Sequence, residues 1–116
     1  MELNSYQTDA NRTLIKEPDF QITPDQVMIA WNGLGLAGES GEVADLIKKG
    51  VFHQQGIDKA KLTKELGDVL WYIAAICSNV NVSLEEVAGV NIAKLKARYP
   101  EGYSPERSVV REGMAA

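Results

Sequence analysis

Cysteine and histidine are almost absent from this sequence, which narrows the chemistry available to it. The 116 residues include one cysteine, Cys77, and one histidine, His53, so no intramolecular disulfide can form. Cys77 lies in the apolar run VLWYIAAIC with no basic neighbour, and we interpret it as a buried thiol rather than a nucleophile. His53 falls in a predicted loop, so the two Glu-x-x-His elements of a di-iron helical bundle are missing.

Long apolar runs and a surplus of basic residues are missing as well. No run is long enough to cross a bilayer, and the N-terminal stretch MELNSYQTDANR lacks the basic start and the hydrophobic segment of an export signal. The formal net charge of −4 argues against binding to a nucleic acid polymer, which requires basic surface. We therefore expect a cytoplasmic protein with no membrane and no nucleic acid partner. A small phosphorylated substrate bridged by cations remains compatible with this charge.

Proline, glycine and capping residues divide the chain into four predicted helices with short connections. These helices run from about residue 5 to 16, from a capping box at Thr23 to about residue 49, from a cap at Asp58 through Cys77, and from a capping box at Ser83 to just before Pro100. They predict an all-α helical bundle in one domain over residues 1–100, with residues 101–116 as a C-terminal tail. Because so short a chain has little room for a core, we expect oligomerisation into a homodimer or homotetramer to complete it.

Glycines are concentrated in the second predicted helix, although each costs roughly 1 kcal/mol relative to alanine in a helix interior. They stand at positions 33, 35, 38 and 41. Either the helix breaks near Gly33 to Gly35, or another backbone packs so closely that a Cβ would collide with it. We favour close packing by another backbone.

Two acidic pairs stand out on neighbouring helices. Glu39 and Glu42 are three residues apart on the second, and Glu65 and Asp68 are three apart on the third, so each pair shares one face. Antiparallel packing can bring the pairs together beside the apolar core. Four carboxylates would repel one another there unless cations neutralised them, and carboxylate ligands favour Mg²⁺, or Mn²⁺, over zinc. The alternative is four ordinary solvated acids, because this spacing often arises by chance.

The segments GLAGESGEVADLIKK, ELGDVLWYI and NIAKLKARYP together resemble the MazG-like nucleotide pyrophosphohydrolases. The shared pattern is ExxE, a spacer, ExxD and a downstream basic helix, and 22 residues separate Glu42 from Glu65 here. The resemblance covers about residues 24 to 100. It implies an all-α, Mg²⁺-dependent nucleoside triphosphate pyrophosphatase that yields the monophosphate and pyrophosphate, often to remove non-standard or surplus nucleotides. The residues that match the family's metal ligands are Glu39, Glu42, Glu65 and Asp68.

For this reaction we hypothesise that Glu39 or Glu42, whichever is less committed to metal, accepts the proton of the attacking water. Asn91, Lys94 and Arg98 share one face of the fourth helix and could meet phosphate oxygens, although a solvated basic face would show the same spacing. Lys49 could bind phosphate or screen the acids.

Aromatic residues near the acids are candidates for contacts with the substrate. Tyr72 follows Asp68 by four residues and could orient a ligand, or could be a core residue. Trp31 and Asn32 could provide stacking and amide hydrogen bonds to the base, although Trp31 also suits a core or an interface. We expect Trp71 to pack in the bundle or between subunits.

Two non-enzymatic alternatives remain open. The chain could be a helical module that binds nucleotides without turnover, or a purely structural oligomerisation domain. Metal-dependent release of pyrophosphate would distinguish the enzyme from both.

Overall fold

The computed structural model describes residues 1–109, and over that range the chain is all-α, which confirms the predicted fold class. The helices are α1 (Leu3–Ala10), α2 (Pro24–Phe52), α3 (Lys59–Asn79), α4 (Leu84–Arg98) and α5 (Pro105–Val109), with a 3₁₀ turn at Asn11–Thr13. The predicted end of the first helix at residue 16 is wrong, because Leu14 is already extended. Helix α5 lies within the segment predicted as a C-terminal tail. Residues 110–116 of that tail lie outside the described range.

Side-chain caps fix the starts of the three long helices where the sequence predicts them. The Gln26 amide donates to Thr23 Oγ1 at 3.2 Å, and the Thr23 amide donates back to Gln26 Oε1 at 2.9 Å, completing the capping box. Asp58 accepts from the first backbone amides of α3, and Ser83 accepts from the Glu86 amide of α4 at 3.0 Å. Local sequence therefore determines where these helices begin.

Helices α2 and α3 form an antiparallel hairpin, which is the main tertiary contact of the described chain. Asn32 near the start of α2 reaches Asn79 at the end of α3, whereas Glu39 lies beside Asp68 farther back along α3. At the turn, the Gly56 amide donates to the Gly50 carbonyl at 3.1 Å. Gly56 has a φ of +77°, a left-handed conformation that glycine adopts without strain. The hairpin therefore places Glu39 beside the Glu65 and Asp68 pair.

The glycine-rich part of α2 stays helical from Pro24 to Phe52, so the helix does not break. A Cβ on Gly35 would collide with the ring of Tyr72, whereas one on Gly33, Gly38 or Gly41 would meet nothing within 4 Å in the described chain. Close packing thus explains Gly35 alone. Our expectation of a neighbouring backbone is wrong there, because the neighbour is an aromatic side chain.

Very little of the described chain is buried. Between residues 1 and 109, Cys77 and Asn32 are the only buried residues, which agrees with the interpretation of Cys77 as a buried thiol. The radius of gyration is 20.2 Å, whereas a compact domain of about 100 residues has about 13 Å. No helix between residues 1 and 109 combines the length and apolar character needed to cross a bilayer. The hairpin therefore leaves most of its apolar side chains uncovered.

Candidate functional site

Three of the four predicted acids converge where α2 crosses α3. Glu39, Glu65 and Asp68 each offer a carboxylate oxygen, and these oxygens lie within 4.8 Å of one another. Glu39 and Glu65 are half-buried, and Asp68 is exposed. The arrangement follows from one residue on α2 facing an i, i+3 pair on α3. It places three carboxylates within reach of one cation.

The crowding changes the acidity of Glu39. Its pKa is raised by partial burial, by the hydrogen bond it can share with Glu65 when one of the two is protonated, and by the charges of Asp68, Glu65 and Glu42. Repulsion of this kind is relieved when a cation binds. The donors are all carboxylate oxygens, which suits a hard ion such as Mg²⁺ or Mn²⁺ better than zinc.

Glu42, the fourth predicted acid, is exposed and is not one of the three clustered residues. It lies one helical turn along α2 from Glu39, and its charge contributes to the raised pKa of Glu39. Of the two acids proposed as the proton acceptor, Glu42 is thus the one less engaged with the other carboxylates.

Two aromatic rings form the wall of an open pocket beside the acids. The pocket is lined by Glu39, Asp68, Trp71 and Tyr72. The rings of Trp71 and Tyr72 pack edge to face, with centroids 5.0 Å apart and an interplanar angle of 85°. The prediction for Tyr72 placed it near the acids, as observed. Trp71 was not predicted at the site, although its i+3 spacing from Asp68 was a signal that could have identified it.

Lys49 forms an ion pair with Asp45, a contact that was not predicted. Its Nζ lies 2.8 Å from Asp45 Oδ2, one turn earlier on α2, and Lys48 Nζ lies 3.7 Å from Asp45 Oδ1. The hydrogen bond and charge of Lys49 lower the pKa of Asp45, while Asp45 raises that of Lys49. The Glu42 charge also contributes to the raised pKa of Lys49, which fits a screening role. The i, i+4 Asp–Lys spacing predicts such a pair.

Trp31 and Asn32, predicted as base contacts, lie away from the acids. Asn32 is buried, and its Nδ2 donates to Asn79 Oδ1 at 2.7 Å, which joins the two helices of the hairpin. Trp31 lies in an apolar groove whose other residues are Ile22, Val27, Ala30, Leu34 and Gly35. That groove contains no acidic residue.

The predicted basic face of α4 is not part of the three-acid cluster. Arg98 donates from Nη2 to the Ser108 carbonyl at 3.1 Å, and its guanidinium lies 4.9 Å from the centre of the Tyr99 ring. Arg98 thereby holds α5 against the end of α4. Asn91 and Lys94 are exposed on the same helix. Within the described part of one chain, three of the predicted acids therefore come together, and the three predicted phosphate contacts of α4 do not join them.

The fold and the site define a class: all-α proteins in which an antiparallel helical hairpin presents a carboxylate cluster able to bind a metal ion. Within that class, residues 30–103 match the model of the MazG nucleotide pyrophosphohydrolase domain. The match covers more than half of the chain, and the chain belongs to the MazG family. The resemblance noted from the sequence is thus confirmed.

One relative comes from a virus. The Gene 37 protein of Mycobacterium phage L5 is 37% identical over 73 residues, which cover 60% of this chain and 64% of that protein. The chain thus spans less than two thirds of that relative, whose name specifies no activity. No solved structure matches this chain.

Proposed function

We propose that this protein is a Mg²⁺-dependent nucleoside triphosphate pyrophosphohydrolase. It cleaves the bond between the α and β phosphates and releases the monophosphate and pyrophosphate, in a house-cleaning role against non-standard or surplus nucleotides. The observation that carries the proposal is the convergence of Glu39, Glu65 and Asp68 on two packed helices of a MazG-family chain. Mn²⁺ could replace Mg²⁺ at the same oxygen ligands.

The positions of the four acids suggest two roles, metal binding and proton acceptance. Glu39, Glu65 and Asp68 would hold the cation, and we propose Glu42, one helical turn from Glu39, as a further ligand. A divalent cation held there would neutralise phosphate charge and lower the pKa of a bound water. Glu42 accepts the proton of the attacking water, because it is the acid least engaged with its neighbours.

The proposed assembly is a homodimer or homotetramer. The chain exposes 9982 Å², whereas a compact monomer of this mass exposes about 6,200 Å². The difference exceeds the roughly 800 Å² per partner of a typical stable interface. Trp31 and Leu34 are large apolar residues that are 66% and 75% exposed, and a second copy would cover them. Light scattering should report a mass at least twice 12.7 kDa.

The negative charge of the triphosphate calls for basic residues other than Lys49, because Lys49 is paired with Asp45. We propose Asn91 and Lys94 as phosphate contacts, presented by α4 within the assembled oligomer. Arg98 could join them if it exchanged its bond to Ser108 for one to phosphate.

The test is a panel of ordinary and modified nucleoside triphosphates with Mg²⁺, with products separated by chromatography. Monophosphate plus pyrophosphate is the expected result, and stepwise release of single phosphates would contradict the assignment. Glu65→Gln and Asp68→Asn should lower turnover by at least about 100-fold while helical content persists, in line with the several kcal/mol that metal catalysis provides. Nucleotide binding without any turnover would identify a non-catalytic module instead.

A further inference from the structure

Trp71 is a large aromatic residue exposed beside the clustered acids. Trp71 is 62% exposed, and it lines the same pocket as Glu39 and Asp68. Exposure of so large an apolar ring is unfavourable in water unless something covers it. The pocket therefore combines a strongly anionic floor, suited to cations, with a flat apolar wall.

The position of Trp71 is fixed by its neighbour. The ring of Tyr72 fills the space above Gly35, where a Cβ would collide with it, and Trp71 packs edge to face on Tyr72. An aromatic pair of this geometry contributes beyond the area it buries. The Trp71 ring is consequently held in place before any ligand arrives.

A nucleoside triphosphate matches both parts of this pocket. Its polyphosphate binds the cations that the carboxylates attract, and its flat aromatic base can lie against the apolar wall. The other exposed tryptophan, Trp31, lies in a groove lined by apolar side chains and Gly35, without any of the acids. Among the pockets of the described chain, the one that holds Trp71 joins an aromatic wall to two of the clustered carboxylates.

We propose that Trp71 is the residue on which the nucleobase of the substrate stacks. The inference rests on the proposed function and specifies how the same site binds the base. Stacking needs only the flat face that every base has, so Trp71 contributes affinity with little discrimination among bases.

The experiment compares Trp71→Leu with wild type on the four common deoxynucleoside triphosphates with Mg²⁺. We expect KM to rise about tenfold for each of the four, which is within the range measured for loss of one base–aromatic stack, while kcat changes less than twofold. Trp71→Phe should recover part of the loss, because it keeps a ring. Phe52→Leu removes another exposed aromatic ring and serves as the matched control, with an unchanged KM expected. Phe52 lies about 20 Å from Glu39 along α2.

Inorganic triphosphate separates the base from the phosphates, since it carries no base. Its inhibition constant should be the same for wild type and Trp71→Leu. In a Trp31→Phe background, where Trp71 is the remaining tryptophan, a non-hydrolysable nucleoside triphosphate should quench fluorescence and inorganic triphosphate should not.

The outcomes distinguish this inference from the proposed function. A wild-type protein that hydrolyses none of the four nucleotides would overturn both. Normal wild-type turnover with an unchanged KM in Trp71→Leu would overturn the stacking role alone. Weaker inhibition of Trp71→Leu than of wild type by inorganic triphosphate would also overturn it, because Trp71 would then support the phosphate site. A smaller mass of Trp71→Leu by light scattering would overturn it as well, because Trp71 would then support a subunit contact.

Discussion

Tyr72 occupies the space that a Cβ on Gly35 would need, so one glycine on α2 and one aromatic ring on α3 fit together across the hairpin. The contact lies one turn from Glu39, which links the packing of the two helices to the position of the acids. Only residue 35 of the four clustered glycines has this constraint.

Gly35→Ala should therefore destabilise the protein even though alanine is the better helix former. Overpacking costs about 1–3 kcal/mol, which outweighs the gain of about 1 kcal/mol from helix propensity. Gly33→Ala is the matched control and should stabilise, since nothing lies within 4 Å of its Cβ. Chemical denaturation measures both. If the cost of Gly35→Ala persisted in a Tyr72→Ala background, the ring would not be its cause.

Asn79→Ala should cost about 1–3 kcal/mol in the free energy of unfolding, because it leaves the buried Asn32 amide without its acceptor. The double variant Asn32→Ala/Asn79→Ala should cost less than the sum of the single changes. Urea denaturation of the four proteins forms a double-mutant cycle. Additive effects would show that the two amides do not interact in solution.

Glu39→Gln should raise thermal stability at neutral pH when metal is removed with a chelator. The pKa of Glu39 is raised in the folded state, so its charged form is penalised at high pH and the penalty disappears as pH falls through the raised pKa. The advantage of Glu39→Gln should therefore be present at pH 7 and vanish below about its ordinary value of 4.5. Glu17→Gln, an exposed acid between helices, is the control. An advantage independent of pH would exclude charge repulsion as its origin.

Mg²⁺ should stabilise the wild-type protein against unfolding. A ligand at about 100 times its Kd adds about 2.7 kcal/mol when it binds the folded state alone. Glu65→Gln and Asp68→Asn should show little of this gain, while Glu85→Gln on α4 should retain it. Thermal melts over a Mg²⁺ titration give the comparison. Equal gains in all four proteins would place the ion elsewhere.

The acidic cluster was predictable from sequence because it depends on two short-range rules. Helical spacing puts Glu65 and Asp68 on one face, and a short connection makes α2 and α3 antiparallel neighbours. The pairing of Lys49 with Asp45 follows the same spacing, although the two roles predicted for Lys49 were to bind phosphate or to screen the acids of the cluster. Sequence therefore carries most of the information about contacts within these helices.

Other features depend on packing that a pattern does not reveal. Whether Trp71 faces a subunit, a core or an open pocket depends on which helix covers α3, and local spacing is the same in all three cases. The Gly35 contact required knowing that a ring, not a backbone, lies opposite. Arg98 was predicted on a basic face from its helical spacing to Asn91 and Lys94. Its partner in the structure, Ser108, lies beyond Pro100 in a segment without helical periodicity, so the sequence pattern does not indicate that contact.

The bond from Arg98 to Ser108 also matters for protein engineering. Cutting the chain after Tyr103 would remove the Ser108 carbonyl that accepts from this guanidinium, and would leave the Arg98 side chain free to move at the end of α4. Affinities measured on such a shortened chain would then describe a surface on which Arg98 no longer donates to Ser108.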